Sequence, residues 1–393
     1  MKASITKTIQ KIAIPIVSVL FALIIGIIII ELTGNNAFEA YGYMFKGAFG
    51  SGNSICELLT ISVPLILCGL AITFAYKSGV LTIGVDGQLI MGAISSAWFV
   101  KTFANLPAPL ITIGAIIVGM VVGALWGAIA GALKAFRKVN EIVSTLLMNY
   151  IALYLASYLY TYPLAATNSK IPQTEKVAEA VRLANLVPGT RVHIGIIIAL
   201  LVAALIWYVL YKTSYGVKFR AVGINPVAAD CNGIPVKKYL ILSIAISGAI
   251  GGLAGTIELL GTQFRIQSGF CADYGFDGIA IALIGQLHPI GTVLAALFYA
   301  ALNVGSNSME LMTNVPSSIA SIISSFRDHP LSLQEHLSTS HLLFLLSPAP
   351  SPHPSPPHLY PLLSFTFHFF HPFFQHLNLL SFLTQLLSFS FQF

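Results

Sequence analysis

Residues 110–133 read LITIGAIIVGMVVGALWGAIAGAL. The stretch carries no charge, and as a helix it would extend about 36 Å at 1.5 Å per residue, enough to cross a hydrocarbon core of about 30 Å. Within it Gly119, Gly123, Gly127 and Gly131 stand four apart, so they fall on one face. A glycine face lets two helices meet backbone to backbone, which is how helices associate in lipid, where no hydrophobic drive distinguishes partner from solvent. The segment predicts a spanning helix with a close-packing seam.

Comparable apolar runs lie at 12–30, 58–75, 88–103, 142–162, 194–211, 240–261 and 279–303. Gly285 and Pro289 interrupt the last run and predict two half-helices there, and another span is expected after Pro316. Gly248, Gly251, Gly252 and Gly255 make a second seam, with Gly248 and Gly252 four apart. The whole composition agrees: 56% of residues are apolar and 9% charged, with mean hydropathy +0.83. A soluble domain carries about 25% charged residues on its surface. The fold class is therefore an all-α polytopic membrane protein with about eight to ten transmembrane helices.

The net charge of +6 is not a nucleic-acid signature, because the basic residues gather in alternate loops. Lys77, then Lys134, Arg137 and Lys138, then Lys212, Lys218, Arg220, Lys237 and Lys238 fall on one side, which the positive-inside rule places in the cytoplasm together with the N-terminus. Lys2, Lys7 and Lys11 precede a run longer than a signal-peptide core, with no small-residue cleavage site behind it, so that run is expected to be retained. Cys56, Cys68, Cys231 and Cys271 have neither disulfide nor metal-ligand spacing. Only His193 and His288 precede residue 324, too few for a catalytic cluster at the ends of spans, and no metal site is expected. No G-x-x-x-x-G-K-[ST] phosphate loop occurs, so the chain cannot hydrolyse ATP by that device.

Four polar residues fall at or inside apolar runs: Asp86, Gln88, Asn149 and Glu258. Ionisable groups at membrane depth are costly and usually face a cavity, so these are candidates to line a solute pathway. Helix capping and interhelical hydrogen bonding are the plainer readings. Asp277 could cap the helix that follows it. Glu141 could serve as a helix-start acid or pair with Arg137, four residues before it. In the basic loop, Asn225 and Pro226 are a helix-start pair, N-cap followed by the first helical position, and Asn232 and Gly233 are a left-handed stop. Between them Ala228 and Ala229 keep a short helix slim enough to seat in a groove of another protein.

Three stretches together resemble the permease family of ABC importers for nucleosides, simple sugars and branched-chain amino acids. They are LTIGVDGQL at 81–89, YGVKFRAVGINPVAADCNGI at 215–234 and YGFDGIAIALIG at 274–285. The first is similar to the family's N-I-G-x-E-G-Q, with Thr82 for Asn and Asp86 for Glu. The third looks most like the nucleoside branch, the guanosine-type importers. The resemblance covers about residues 10–323 and implies an importer permease subunit that is not itself an enzyme. It implies no bound cofactor, with ATP and Mg held by a separate cytoplasmic ATPase. It further implies a second permease subunit, in a heterodimer, and an extracytoplasmic substrate-binding lipoprotein, all at the bacterial cytoplasmic membrane amid lipid. The loop carrying Arg220, Gly223, Asn225, Pro226, Ala228, Ala229, Gly233 and Ile234 would dock on the ATPase. The alternatives are a permease for ribose-like sugars, or an ion-coupled secondary transporter with acidic midplane sites.

Residues 324–393 break with everything before them. They contain no Gly, Lys, Ile or Val and eight of the ten histidines, a bias towards pyrimidine-rich codons. The organisation expected is a transmembrane domain over 1–323 followed by an aberrant low-complexity tail, the product of a frameshift or chimeric join.

Overall fold

The computed structural model describes residues 35–313 except Asn168 and Ala272, with a few residues between 24 and 31. The expected first span, the span after Pro316 and the tail lie outside the described residues. The helices are α1 (Ala37–Phe49), α2 (Gly52–Lys77), α3 (Val85–Thr102), α4 (Ala108–Arg137), α5 (Glu141–Thr161), α6 (Gly195–Lys212), α7 (Ser214–Ile224), α8 (Pro226–Cys231), α9 (Val236–Glu258), α10 (Tyr274–Ile284) and α11 (Pro289–Thr313). α9 runs on into a π-helical turn, Leu259–Gln263. Six of these elements, α2, α4, α5, α6, α9 with its π turn, and α11, are long and apolar enough to cross a membrane.

α2 is the protein-wrapped centre. In its most apolar stretch 89% of residues are buried, against 22% in α4 and 28% in α5 and α6. The last three are the outer helices, each with one face pointing away from the protein. On α4, Ile113, Ile117, Val121, Leu125 and Ile129 form that face, opposite the glycines. α9 packs most extensively on α4 and α3, across the two glycine seams. An added methyl group at Gly123 would lie 2.3 Å from the Gly248 carbonyl oxygen, and one at Gly252 would lie 2.2 Å from the Gly119 carbonyl oxygen. At Gly127 it would meet the Ile244 carbonyl at 2.5 Å, and at Gly131 the Ile241 backbone at 3.0 Å.

Three elements depart from expectation. Residues 37–49 lie in what was expected to be a loop, yet form α1, capped by Asn36 through the Phe38 and Glu39 N–H groups. At 13 residues α1 is too short to span. It lies along α11, where Gly47 faces Ser308 and Gly305 faces the Met44 backbone. Of the two expected half-helices only α10, with 11 residues, is one. α11 continues ten residues past the expected end at 303, because its polar Ser306 is buried within the protein and its Ser308 bonds the Val304 carbonyl, so neither ends the helix. α7, read as loop, is helical from Ser214, with Thr213 capping the Gly216 N–H.

The 163–193 segment is not a free connector. The Thr174 N–H bonds the Ile266 carbonyl, the Leu183 N–H bonds the Leu260 carbonyl, and Arg182 sits 4.4 Å over the Phe264 ring. These contacts fasten it over the π turn and the following loop, at the end of the bundle opposite Lys77, Lys134 and Lys212.

Candidate functional site

Two places bring the polar residues together. The first is where the half-helix α10 starts. Its own N-cap position, Asp273, is left-handed and makes no side-chain capping bond. The cap comes instead from α3. Asp86 Oδ1 accepts the Gly275 N–H at 2.7 Å, and the Phe276 N–H adds to it. These are the second and third N–H groups of α10, the pair an N-cap side chain ordinarily satisfies. Asp86 is itself in the first turn of α3, so its carboxylate lies at two positive helix ends. Gly275 permits the approach, since a Cβ there would sit 2.7 Å from the Asp86 carboxyl carbon. Asp86 Oδ2 is buried without a protein partner.

Around this cap each sequence candidate has a defined place. Asn149, on α5, accepts the Gly87 N–H at 2.9 Å and donates to the Ile83 carbonyl at 2.8 Å, so its amide is engaged by the start of α3. Glu258 accepts from Gln263 Nε2 at 3.0 Å, and the same nitrogen reaches the Phe270 carbonyl at 3.0 Å, which ties the loop leading into α10 to the end of α9. Gln88 packs against Gly251 and Gly127 with Oε1 unpartnered. Ser243 and Ser247, one turn apart on α9, are likewise buried with unpartnered hydroxyls. Asp277 does not cap α10; it accepts a 2.6 Å hydrogen bond from the Tyr299 hydroxyl of α11. Sequence reasoning passed over Gln263, Tyr299, Ser243 and Ser247, since lone polar residues in apolar runs carry no spacing signal.

The second place is the basic end. Lys134 pairs with Glu141, which is a first-turn acid of α5 but not a partner of Arg137, and donates to the Gly79 carbonyl at 3.3 Å. Arg220 lies 5.2 Å over the Tyr211 ring, and the His288 ring is 5.3 Å from the same tyrosine. Burial and the nearby Lys77 hold His288 below the usual histidine range. Asn225 caps α8 through the Ala228 N–H at 3.0 Å, Pro226 takes the first position, and Gly233 turns left-handed at φ 75° after it. Ala228 points outward and Ala229 inward, while Ile234 is half buried. Gly223 rests on the end of α2: a Cβ there would meet the Lys77 carbonyl at 2.4 Å. Between Gly223 and α8, Ile224 and Val227 are 86% and 74% exposed, two aliphatic side chains in water at a charged surface. The sequence reading named their neighbours but not these two. Among the described residues no group of His, Cys, Asp or Glu is arranged to hold a metal.

Residues 54–326 match the family described as branched-chain amino acid transport system / permease component. The chain belongs to this family. It is 35% identical to the guanosine ABC transporter permease protein NupP of Bacillus subtilis over 326 residues, which are 81% of this chain and 92% of that one. It is 34% identical to the glucose ABC transporter permease protein TsgB13 of Haloferax volcanii, over 79% and 84% of the two chains. The guanosine ABC transporter permease protein NupQ of Bacillus subtilis is 30% identical, over 66% and 84%. As a family permease with six spanning helices among its described residues, the protein is a multi-pass membrane protein. The basic-end unit of α7 and α8 and the α3–α10 cap both fall within the matched residues.

Proposed function

We propose that this chain is the membrane-spanning permease subunit of an ATP-driven ABC importer for nucleosides. The observation that carries the reading is the unit of α7 and α8, which offers Ile224 and Val227 outward while Gly223 bears on the most enclosed helix of the bundle. A six-residue helix is marginal alone in water and is suited to being held by a partner. Covering a Val or Ile side chain contributes about 1.5–3 kcal/mol. The partner at this surface is a cytoplasmic ATPase that binds ATP and Mg, since the chain has no phosphate loop of its own. Closure of the ATPase then moves α7 and α8 against α2 as a rigid-body step that exposes the pathway alternately to either side. An extracytoplasmic lipoprotein delivers the solute at the opposite end, and a second permease subunit completes the pore; two guanosine permeases of one organism, NupP and NupQ, are among the relatives, which supports a heterodimer.

Uptake of labelled guanosine by cells expressing the permease with its ATPase, second permease and binding protein tests the proposal. Saturable uptake lost when the ATPase's phosphate-loop Lys is replaced supports it. Uptake indifferent to that replacement but abolished by collapsing the ion gradient sinks it in favour of secondary transport. A sugar is the second reading, supported by the likeness to a glucose permease. Competition by ribose or glucose, without competition by nucleosides, would keep the mechanism and change the solute.

A further inference from the structure

The outward face of α5 differs in kind from those of α4 and α6. Tyr150, Tyr154, Tyr158 and Tyr162 stand four apart along it, and all are exposed, Tyr154 at 76%. The Tyr158 and Tyr162 ring centroids are 5.2 Å apart. On α4 the corresponding face is aliphatic from Ile113 to Ile129, with Phe136 exposed at its basic end, and on α6 Ile197, Leu201 and Leu205 precede a single Tyr208 near the basic end.

Tyrosine is ordinary where a helix leaves the membrane, because its ring sits among headgroups with the hydroxyl in water. That explanation serves Tyr158 and Tyr162, at the end of the helix, but fails for Tyr150 and Tyr154. α5 has 21 residues; it is about 32 Å long, and the four tyrosines cover about 18 Å of it. Tyr150 lies about 14 Å from the start of the helix and Tyr154 about 11 Å from its end. A tyrosine hydroxyl reaches about 6 Å from the helix surface and cannot arrive at either interface from there. Left in hydrocarbon, each such hydroxyl forfeits its hydrogen bonds with water, a cost of a few kcal/mol. At Tyr150 and Tyr154 the face is therefore less suited to lipid than the faces of α4 and α6, although Leu147, Ile151 and Leu153 are exposed beside them.

What lies beside it fits the same conclusion. A cavity of about 320 Å³ opens between α3 and α5, lined by Met91, Ile94, Ser95, Trp98, Leu159 and Leu164, with Pro163 at its end. It is apolar and carries an indole and a hydroxyl; α5 contributes Leu159, about 100° round the helix from Tyr158, and no tyrosine of the ladder lines it. Its size is at the lower end of small-molecule sites. A planar base presents a π-face to rings such as those of the ladder, which therefore suit the base of a nucleoside.

We propose that the tyrosine ladder of α5, Tyr150–Tyr154–Tyr158–Tyr162, is the solute-conducting face of this permease, on which the base of a nucleoside stacks as it passes. The assignment rests on the nucleoside-permease reading above. Asp86, Gln88, Asn149 and Glu258 then stand behind the wall rather than on it: they hold the starts of α3 and α10 in place.

The test uses the complete transporter in membrane vesicles. Tyr154→Cys, with Cys56, Cys231 and Cys271 replaced by Ser, is treated with a charged, water-soluble thiol reagent, and Val121→Cys on the aliphatic face of α4 serves as the lipid-facing control. Reaction at 154 about tenfold faster than at 121, and slowed by guanosine, is expected. Equal rates at the two positions overturn the proposal, and a fast reaction that guanosine does not slow overturns the stacking role. In uptake assays Tyr154→Leu should raise the KM for guanosine about tenfold, while Tyr154→Phe, which keeps the ring, stays within about twofold of wild type. Wild-type uptake in the same vesicles separates the two layers. If the wild type carries no nucleoside, the functional reading fails; if it does and Tyr154→Leu matches it, only the ladder fails.

Discussion

At Gly123 the backbone of α4 has no room for a methyl group, since the Gly248 carbonyl oxygen would lie 2.3 Å from it. Neither helix can yield alone, because α9 is held on its other side by α3, where a Cβ at Gly255 would meet the Leu89 carbonyl at 2.0 Å. Gly123→Ala should therefore destabilise the protein by about 1–3 kcal/mol, the usual cost of overpacking. Gly42 on α1 has nothing within 4 Å of its missing Cβ, and Gly42→Ala should stabilise by about 0.5–1 kcal/mol by removing backbone freedom. Thermal unfolding in detergent measures both, and like signs for the two would refute the steric account. His193 is a different kind of residue, outside the spans and buried at the end of the 163–193 segment against Gly195 and Gly261. Its Nδ1 accepts the Gly195 N–H at 3.1 Å, and burial lowers its pKa to about 4. Because the folded value lies below the unfolded one of about 6.5, acid favours the unfolded chain. The stabilisation is complete above about pH 6.5 and is lost as pH falls towards 4, with about 2 kcal/mol gone by pH 5. His193→Gln should flatten that decline in a pH series of melting curves. Its neighbour Gly261 was legible only as an isolated glycine, because a contact across more than sixty residues of chain leaves no local pattern.

Elements were legible where a period spoke for them. The fours of glycine on α4 located its packing face, and the Asn225–Pro226 start with the Asn232–Gly233 stop located α8 within a residue of its observed bounds. α1 was missed because Gly42, Gly47, Glu39 and Lys46 dilute its hydropathy. α10 was given the wrong start because its cap is supplied by Asp86 from 189 residues away, which no window along the chain can see. The joint between α7 and α2 belongs to the same class. Gly79 is left-handed at φ 79°, and a Cβ on it would stand 2.7 Å from the Gly223 Cα. Two glycines face each other there so that α7 can rest directly on the end of α2. α2 in turn is bonded to α11 through Thr73 and Thr292, 2.8 Å apart. A push delivered at α8 thus has a short rigid route into the core. Gly223→Ala should lower nucleoside uptake about tenfold while the assembled complex still hydrolyses ATP, because the lever is displaced and not removed. Parallel loss of uptake and of ATP hydrolysis in an intact complex would mean that Gly223 serves assembly instead.

For the whole molecule the decisive question is which way it sits. Lys77, Lys134 and Lys212 all lie in the last turns of their helices, where they also complement the negative helix ends. Helix-end electrostatics alone would accept either orientation, so the orientation rests on the positive-inside rule, with the basic end in the cytoplasm. Cys231 reports on it directly. It is a free, exposed thiol at the end of α8, the element offered to the ATPase. Cys56, near the start of α2, and the half-exposed Cys271 lie at the opposite end and must both be replaced by Ser to leave one accessible reporter, as Cys68 is buried. In intact cells a membrane-impermeant maleimide should leave Cys231 unlabelled, and in inverted vesicles it should label it fully. Adding the ATPase to those vesicles should then slow the labelling severalfold, because Ile224 and Val227 would be covered together with the thiol beside them. Labelling from outside intact cells would reverse the orientation and with it the site of the ATPase. Labelling in inverted vesicles that the ATPase leaves unchanged would keep the orientation but move the docking surface away from α8.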